Sequence, residues 1–255
     1  MSEIDLGSVS VSKQDRIATI TFEHPKSNSL PRKLLEKLAM AIEETGADAD
    51  VRVVVIRSSG NRAFCAGASF DEFLAIETLE ESTRFFSGFA KVLLAIRSCP
   101  AFVICRVQGK VVGGGVGLVS ACDYAIATEA AAIRLSELAI GIGPFTISPA
   151  VIRKVGLPAF NELAIDADWR DAAWSERHGL YVSVVTDTEA LDAAVNARAK
   201  ALADFNPDAM RELKALLWAG TEDWPTILAE RVSITARLML SDFVREKVSS
   251  LRNNS

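Results

Sequence analysis

The sequence predicts an α/β protein, with a largely parallel, covered sheet built from βα crossover units and an α-helical C-terminal part. Two observations carry this. Short alternating or β-branched runs are separated by longer stretches in which apolar residues return every three or four positions. That alternation marks strands joined by crossover helices. After about Asp187 the strand signals stop.

In chain order, RIATITF (16–22) reads as the first strand, and Leu34, Leu35, Leu38 and Ile42 form a helical stripe opening after Pro31. VRVVVIR (51–57) is the next strand. A long helical pattern spans 73–97, with Phe85, Phe86, Phe89, Val92, Leu93 and Ile96 at threes and fours. AFVICRV (101–107) and residues 124–127 complete the strand set. From 189 to 249 the chain reads as Ala/Leu-rich helices, broken near Asn206–Pro207 and again between Gly220 and Pro225. We divide it into a core, 1–190, that holds the site and a helical region, 191–255, expected to serve oligomerisation.

A chain of 255 residues can bury a core without disulfides or metals. Its net charge of −5, with no Lys/Arg-dense stripe, argues against a nucleic-acid partner. The four cysteines, Cys65, Cys99, Cys105 and Cys122, form no CxxC and no metal-ligand spacing with histidine. Buried, reduced thiols are expected, and no metal. The first residues lack a basic segment followed by an apolar one, and no apolar run is long enough to span a bilayer. A cytoplasmic protein with no membrane partner is therefore expected. His24 and His178 accompany no nucleophile motif, which argues against a Ser-His-Asp hydrolase.

Two segments carry chemistry. AFCAGA (63–68) follows the 51–57 strand. Its small residues either let a ligand approach the main chain or simply pack a connecting turn. QGKVVGGGVGLVSACD (108–123) passes from a strand through three glycines into an apolar helix. A helix start of this kind exposes free N–H groups at the positive end of the dipole. The spacing fits neither GxGxxG nor a P-loop, leaving an oxyanion or carbonyl site, or close helix packing.

Together the two segments resemble the crotonase (enoyl-CoA hydratase/isomerase) superfamily. The resemblance extends to HPKSNSLP (24–31), VRVVVIRSSGNRAFCAGA (51–68), LSELAIGIGP (135–144) and the helical C-terminus. It implies a ββα spiral core and an acyl-CoA substrate. The backbone N–H groups of Ala68 and Gly114 would hold the thioester oxygen, and no cofactor is implied beyond the CoA moiety itself. Lys26, Ser27, Ala66 and Ala68 match the family's CoA-contact region. The family's C-terminal helices imply a homotrimer or dimer of trimers, for which Ile234, Leu238, Leu240, Phe243 and Val248 are the apolar candidates.

Hydratases of this family use two glutamates on one water. The first, three residues past the middle glycine, is replaced here by Gly117; the second, twenty-three past it, is Glu137. Glu137 reads either as the general acid/base or as a first-turn helix cap. As acid/base it would need its pKa raised by apolar neighbours such as Leu138 and Ile140. The departures around 136–156 are similar to methylglutaconyl-CoA hydratase-type members. Hydration of a branched or glutaconyl-type enoyl-CoA thus ranks first, with Arg153 and Lys154 as candidate partners for a second carboxylate. Δ3,Δ2-enoyl-CoA isomerisation ranks second, and a non-catalytic acyl-CoA-binding protein third.

Overall fold

The computed structural model describes residues 7–253. The chain runs β1 (Ser8–Gln14), β2 (Ile17–Glu23), α1 (Arg32–Ala47), β3 (Val53–Ser58), α2 (Phe70–Leu74), α3 (Leu79–Ser98) and β4 (Phe102–Val107). There follow β5 (Val111–Val112), α4 (Gly114–Ala121), β6 (Tyr124–Thr128), β7 (Ile133–Arg134), a 3₁₀ turn (Leu138–Ile140), α5 (Ser148–Asp166) and α6 (Ala172–Arg177). The chain ends with β8 (Ser183–Val185), α7 (Thr188–Ala203), α8 (Pro207–Leu217), α9 (Trp224–Met239) and α10 (Asp242–Asn253).

The main sheet has the order β1-β2-β3-β4-β6-β8. Only the β1–β2 pair is antiparallel, and every other pairing is parallel. A strand shows alternate side chains to opposite faces, and β3 and β4 use both. Val54, Ile56, Val103 and Cys105 enter the large core with α1, α3 and α4. Val53, Val55, Phe102 and Ile104 face Leu191, Val195, Ala199 and Ala203. Those four lie at steps of four along α7, so one stripe of that helix covers the second face of the sheet.

Three expectations are adjusted here. The pattern over 73–97 is not one helix, because α2 ends at Leu74 and α3 starts at Leu79. The break is capped: Thr78 accepts the Glu81 N–H, and the Glu81 carboxylate takes the Thr78 N–H back. The line drawn at 190/191 falls inside α7, a helix that packs on the sheet. In α9 the inward residues are Leu228, Val232, Thr235, Ala236 and Met239, whereas Ile234, Leu238 and Leu240 are half-buried. Phe243 is 62% exposed, and the Val248 side chain lies outside the described residues.

One buried polar cluster ties α8 to the sheet. The Lys214 Nζ lies 2.9 Å from Asp123 Oδ2, with the two side chains 4% and 8% exposed. Lys214 also donates to the carbonyls of Ala101 (2.7 Å) and Ile96 (3.2 Å). Asp123 accepts the Val103 N–H (2.7 Å) and the Trp218 Nε1–H (2.8 Å). Removing one member strands the others, because a buried charge without its partner has no water to turn to. Lys214→Ala is expected to lower unfolding free energy by about 3 kcal/mol in urea titrations. A loss under 1 kcal/mol would mean water reaches Asp123.

Candidate active site

The site is assembled by backbone bonds on the two sides of β5. On one side, the N–H groups of Phe64 and Cys65 donate to the Lys110 carbonyl (3.0 and 3.2 Å), and the Val112 N–H donates to Cys65 (2.9 Å). On the other side, Val111 N–H donates to Ala132 and Gly113 N–H to Arg134, both at 2.9 Å. This places the 63–68 turn, the triple glycine and the chain leading to Glu137 in one layer.

Each glycine in that layer has a neighbour that excludes a side chain. Gly67 has φ of +87°, and a Cβ there would meet the Val112 carbonyl oxygen at 2.9 Å. Gly113 has φ of +53°, and its Cβ would meet Glu137 Oε1 at 2.9 Å. At Gly114 and Gly115 the obstacles are the Phe89 ring (2.1 Å) and the Cys65 Cβ (2.8 Å). Close helix packing and an open N-terminus therefore coexist.

The two expected donors remain available. Ala66 N–H goes to the Ser27 carbonyl, Gly67 N–H to Cys65 Sγ, and Ser69 N–H to Leu30. Among the described residues, no hydrogen bond uses the N–H of Ala68. Gly114 opens α4, and its N–H is one of the groups that helix geometry leaves without a partner. Both residues line the same cleft, of about 200 Å³.

Glu137 lines that cleft too. It precedes the 3₁₀ turn but its side chain caps nothing, which removes the capping alternative. Its Oε2 is buried without a hydrogen-bond partner. Burial pushes its carboxyl up from an ordinary 4.5 to about 7. The neighbours that do this differ in part from those expected. Ile140 lines the cleft, but Leu138 is 50% exposed and points away.

The cleft is otherwise apolar, walled by Phe70, Phe73, Phe86, Phe89, Ile142 and Ile147. Its other polar side chains are Ser136, Thr146 and Thr235. Thr235 arrives from α9, far along the chain, and neither threonine had a sequence signal. Ala66 lines the cleft, whereas Lys26 and Ser27 lie outside it. Lys26 forms an exposed ion pair with Asp71 of α2, and Ser27 takes φ of +53° while holding Ala66 by its carbonyl. Arg153 and Lys154 do not reach the cleft. Arg153 stacks 3.9 Å over the Trp218 ring, and Lys154 donates to the carbonyls of Cys122 and Asp123. The four cysteines are free and buried, and burial pushes the Cys65 thiol up to about 12.

Position 117 has no room for an acid. A Cβ on Gly117 would stand 2.5 Å from Ile147 Cγ2 and 2.7 Å from its Cβ. The space that a glutamate would occupy is filled by a branched apolar side chain.

Spare backbone N–H groups beside one buried carboxyl, in an apolar cleft, define an enzyme site for a substrate that develops negative charge on a carbonyl oxygen. A family model described as enoyl-CoA hydratase/isomerase matches residues 12–249. A probable enoyl-CoA hydratase of Bacillus subtilis (strain 168) is 30% identical over 219 residues, covering 84% of this chain and 83% of that protein. The mitochondrial methylglutaconyl-CoA hydratase of Rattus norvegicus is 30% identical over 199 residues, 76% of this chain and 63% of the relative. An enoyl-CoA hydratase structure from Bacillus halodurans superposes with a TM-score of 0.89, covering 95% of this chain and 99% of that one. At 20% identity, that likeness speaks to fold alone. The chain belongs to the enoyl-CoA hydratase/isomerase family and has the crotonase-type fold that its sequence resembles.

The contact at position 117 has a measurable consequence. Gly117→Ala should cost about 1–3 kcal/mol by overpacking against Ile147. Adding Ile147→Ala should relieve part of that cost, giving a coupling energy above about 0.5 kcal/mol in a double-mutant cycle. Strict additivity of the two substitutions would show that Ile147 is not what excludes a side chain there.

Proposed function

We propose that this chain hydrates an α,β-unsaturated acyl-CoA thioester, and dehydrates the 3-hydroxyacyl product in reverse. The observation that carries this is the buried Glu137 carboxyl, its Oε2 unpartnered and its pKa raised by burial to about 7, set against the glycine that precedes the Gly114 N–H. A group poised there can exist in both protonation states at neutral pH, as a shuttle must.

The steps balance on this chain's own groups. The Glu137 carboxylate takes one proton from water as the water oxygen bonds to Cβ. The π electrons move onto the thioester oxygen, where the N–H groups of Ala68 and Gly114 hold the developing charge. The enolate then collapses, and Glu137 returns the proton to Cα. No cofactor enters beyond the CoA of the substrate.

The walls favour an uncharged acyl group. Among the described residues, no lysine, arginine or histidine lines the cleft, so a distal carboxylate would be buried without a counter-ion. A glutaconyl-type thioester, suggested by the similarity to a methylglutaconyl-CoA hydratase, therefore ranks second. One observation favours isomerisation as the runner-up activity. With Ile147 in the space beside Gly117, Glu137 is the single carboxylate lining the cleft among the described residues, and moving a proton between two carbons needs no more. The non-catalytic reading loses ground because a binding protein has no use for a buried acid near neutrality.

We place the protein in the cytoplasm as a trimer or dimer of trimers. Support for assembly is the row of Leu213, Leu216 and Leu217 on α8, exposed by 48%, 71% and 50%. Among the described residues, no helix is long and apolar enough to cross a membrane.

Incubation with crotonyl-CoA, 3-methylglutaconyl-CoA and a 3-enoyl-CoA, followed by enoyl-thioester absorbance, separates these activities. Fast crotonyl-CoA hydration is expected, and isomerisation of the 3-enoyl substrate without any hydration would overturn it. Glu137→Gln should lower kcat by roughly 10²–10⁴-fold while CoA-thioester affinity holds. The pH profile follows from the same group: kcat/KM should rise through about pH 7 in both directions, because hydration and dehydration each begin with the Glu137 carboxylate.

Stability gives an independent check. The folded pKa is raised, so the neutral form is favoured in the fold. That contribution is complete below the ordinary value of 4.5 and is lost as pH climbs through about 7. Glu137→Gln should therefore match the wild type near pH 4 and exceed it at pH 8 by on the order of 3 kcal/mol. Equal stability at both pH values would show that the carboxyl is solvated.

A further inference from the structure

Thr146 and Thr235 are the two buried hydroxyls of the cleft, 5% and 2% exposed. Their oxygens are 3.1 Å apart. The direction of that bond follows from its neighbour. Thr235 Oγ1 also lies 3.1 Å from the Arg231 carbonyl, which can only accept, so the Thr235 proton goes there. Thr146 must then donate to Thr235. Its single proton is used, and its oxygen keeps acceptor capacity in an otherwise apolar enclosure. That oxygen can accept an O–H or N–H that arrives in the cleft.

The position of Thr146 suggests what arrives. Its neighbour Ile147 packs on position 117 of α4, while Glu137 packs on position 113. Four residues of helix separate those positions by roughly 6 Å. Two hydrogen bonds of about 2.8 Å from one water, meeting at its roughly tetrahedral angle, span about 4.5 Å, a separation that groups held against adjacent turns of α4 can adopt.

Building on the hydratase assignment above, we propose that Thr146 binds the reacting water and that Thr235 is a positioning residue acting through it. Of the two hydrogens on that water, Glu137 removes one and Thr146 accepts the other, which stays on the oxygen throughout. In the reverse direction the same Thr146 oxygen accepts the hydroxyl hydrogen of the 3-hydroxyacyl thioester. Glu137, having taken the Cα proton, delivers it to the departing oxygen, and water leaves whole. The neutral threonine pair thus supplies the second contact to water that Gly117 lacks.

The test compares two ligands that differ by one hydroxyl, 3-hydroxybutyryl-CoA and butyryl-CoA, by titration calorimetry on the wild type, Thr146→Val, Thr146→Ser and Thr235→Val. The wild type should bind the hydroxylated ligand about five-fold tighter, as one hydrogen bond allows. Thr146→Val should erase that preference with butyryl-CoA affinity unchanged, Thr146→Ser should keep it, and Thr235→Val should weaken it. In turnover, Thr146→Val should lower kcat for crotonyl-CoA hydration by roughly 10- to 100-fold. Isomerisation of a 3-enoyl-CoA, which uses no water, should stay within about two-fold. A preference that survives Thr146→Val, or equal losses in hydration and isomerisation, would overturn the proposal. A wild type that binds both ligands but hydrates nothing overturns the hydratase assignment separately, and the hydroxyl preference still decides whether Thr146 receives a 3-hydroxyl.

Discussion

The whole site hangs on β5, a strand of two residues. Val111 and Val112 bond to the 63–68 turn on one side and to the start of β7 on the other. Ala68 precedes the junction, Gly114 follows it, and β7 delivers Glu137 three residues after its end, so all three line one cleft. All these links are main chain, so they specify geometry without specifying side chains. What the side chains must do is stay out of the way. Gly67, Gly113, Gly114 and Gly115 each meet a neighbour that leaves no room for a methyl group.

Holding an acid in that layer runs against stability. Glu137 is surrounded by backbone and apolar walls, and its Oε2 has no partner. The fold must therefore fix its loop by other means. The Glu137 carbonyl accepts the N–H groups of Ile142 and Gly143, closing the 3₁₀ turn on itself. Gly141, with φ of +96°, lets that turn close, and the side chains of Phe243 and Val244 from α10 lie against it. The C-terminal helix thus supports the acid without touching it. Sites that keep a charged group short of partners draw on stability built elsewhere, and here the large core and the Lys214–Asp123 cluster provide it.

Much of this was legible in the sequence, for reasons that differ by residue. β3 and β4 announced themselves because nearly all their residues are buried, which favours unbroken, β-branched-rich runs. The triple glycine and the AGA turn were legible because close approach of main chains admits few residue types. Glu137 was found by its register with Gly114, which β5 and β7 enforce. What was missed depends on distant parts of the chain. β1 is exposed and polar, and the two-residue strands are too short for any periodicity. α7 looked like part of a separate helical region because its stripe matches a sheet face as well as it would match another helix. Arg153 and Lys154 looked free because nothing local reveals Trp218 or the carbonyls that engage them. Thr235 was invisible, since a threonine in a helix of that composition signals nothing until α9 folds over the cleft.

The exchange at position 117 separates two tasks that a pair of carboxylates would combine. Two acids sharing one water repel each other when both are ionised, so each helps to set the other's pKa. With Gly117 packed by Ile147, that coupling is gone. Burial dominates the titration of Glu137, and the second contact to water can come from a hydroxyl pair that carries no charge at any working pH. Such a site keeps its water-binding contact while the acid changes state, whereas a second carboxylate would tighten or release the water as it titrates. It also tolerates apolar substrates better, because only one ionised group must be kept from the acyl chain. The loss of the first glutamate is then compatible with hydration, provided that the acceptor is rigid. Thr146 and Thr235 suit that role: they line the cleft, bond to each other, and are tied through Thr235 to the Arg231 carbonyl.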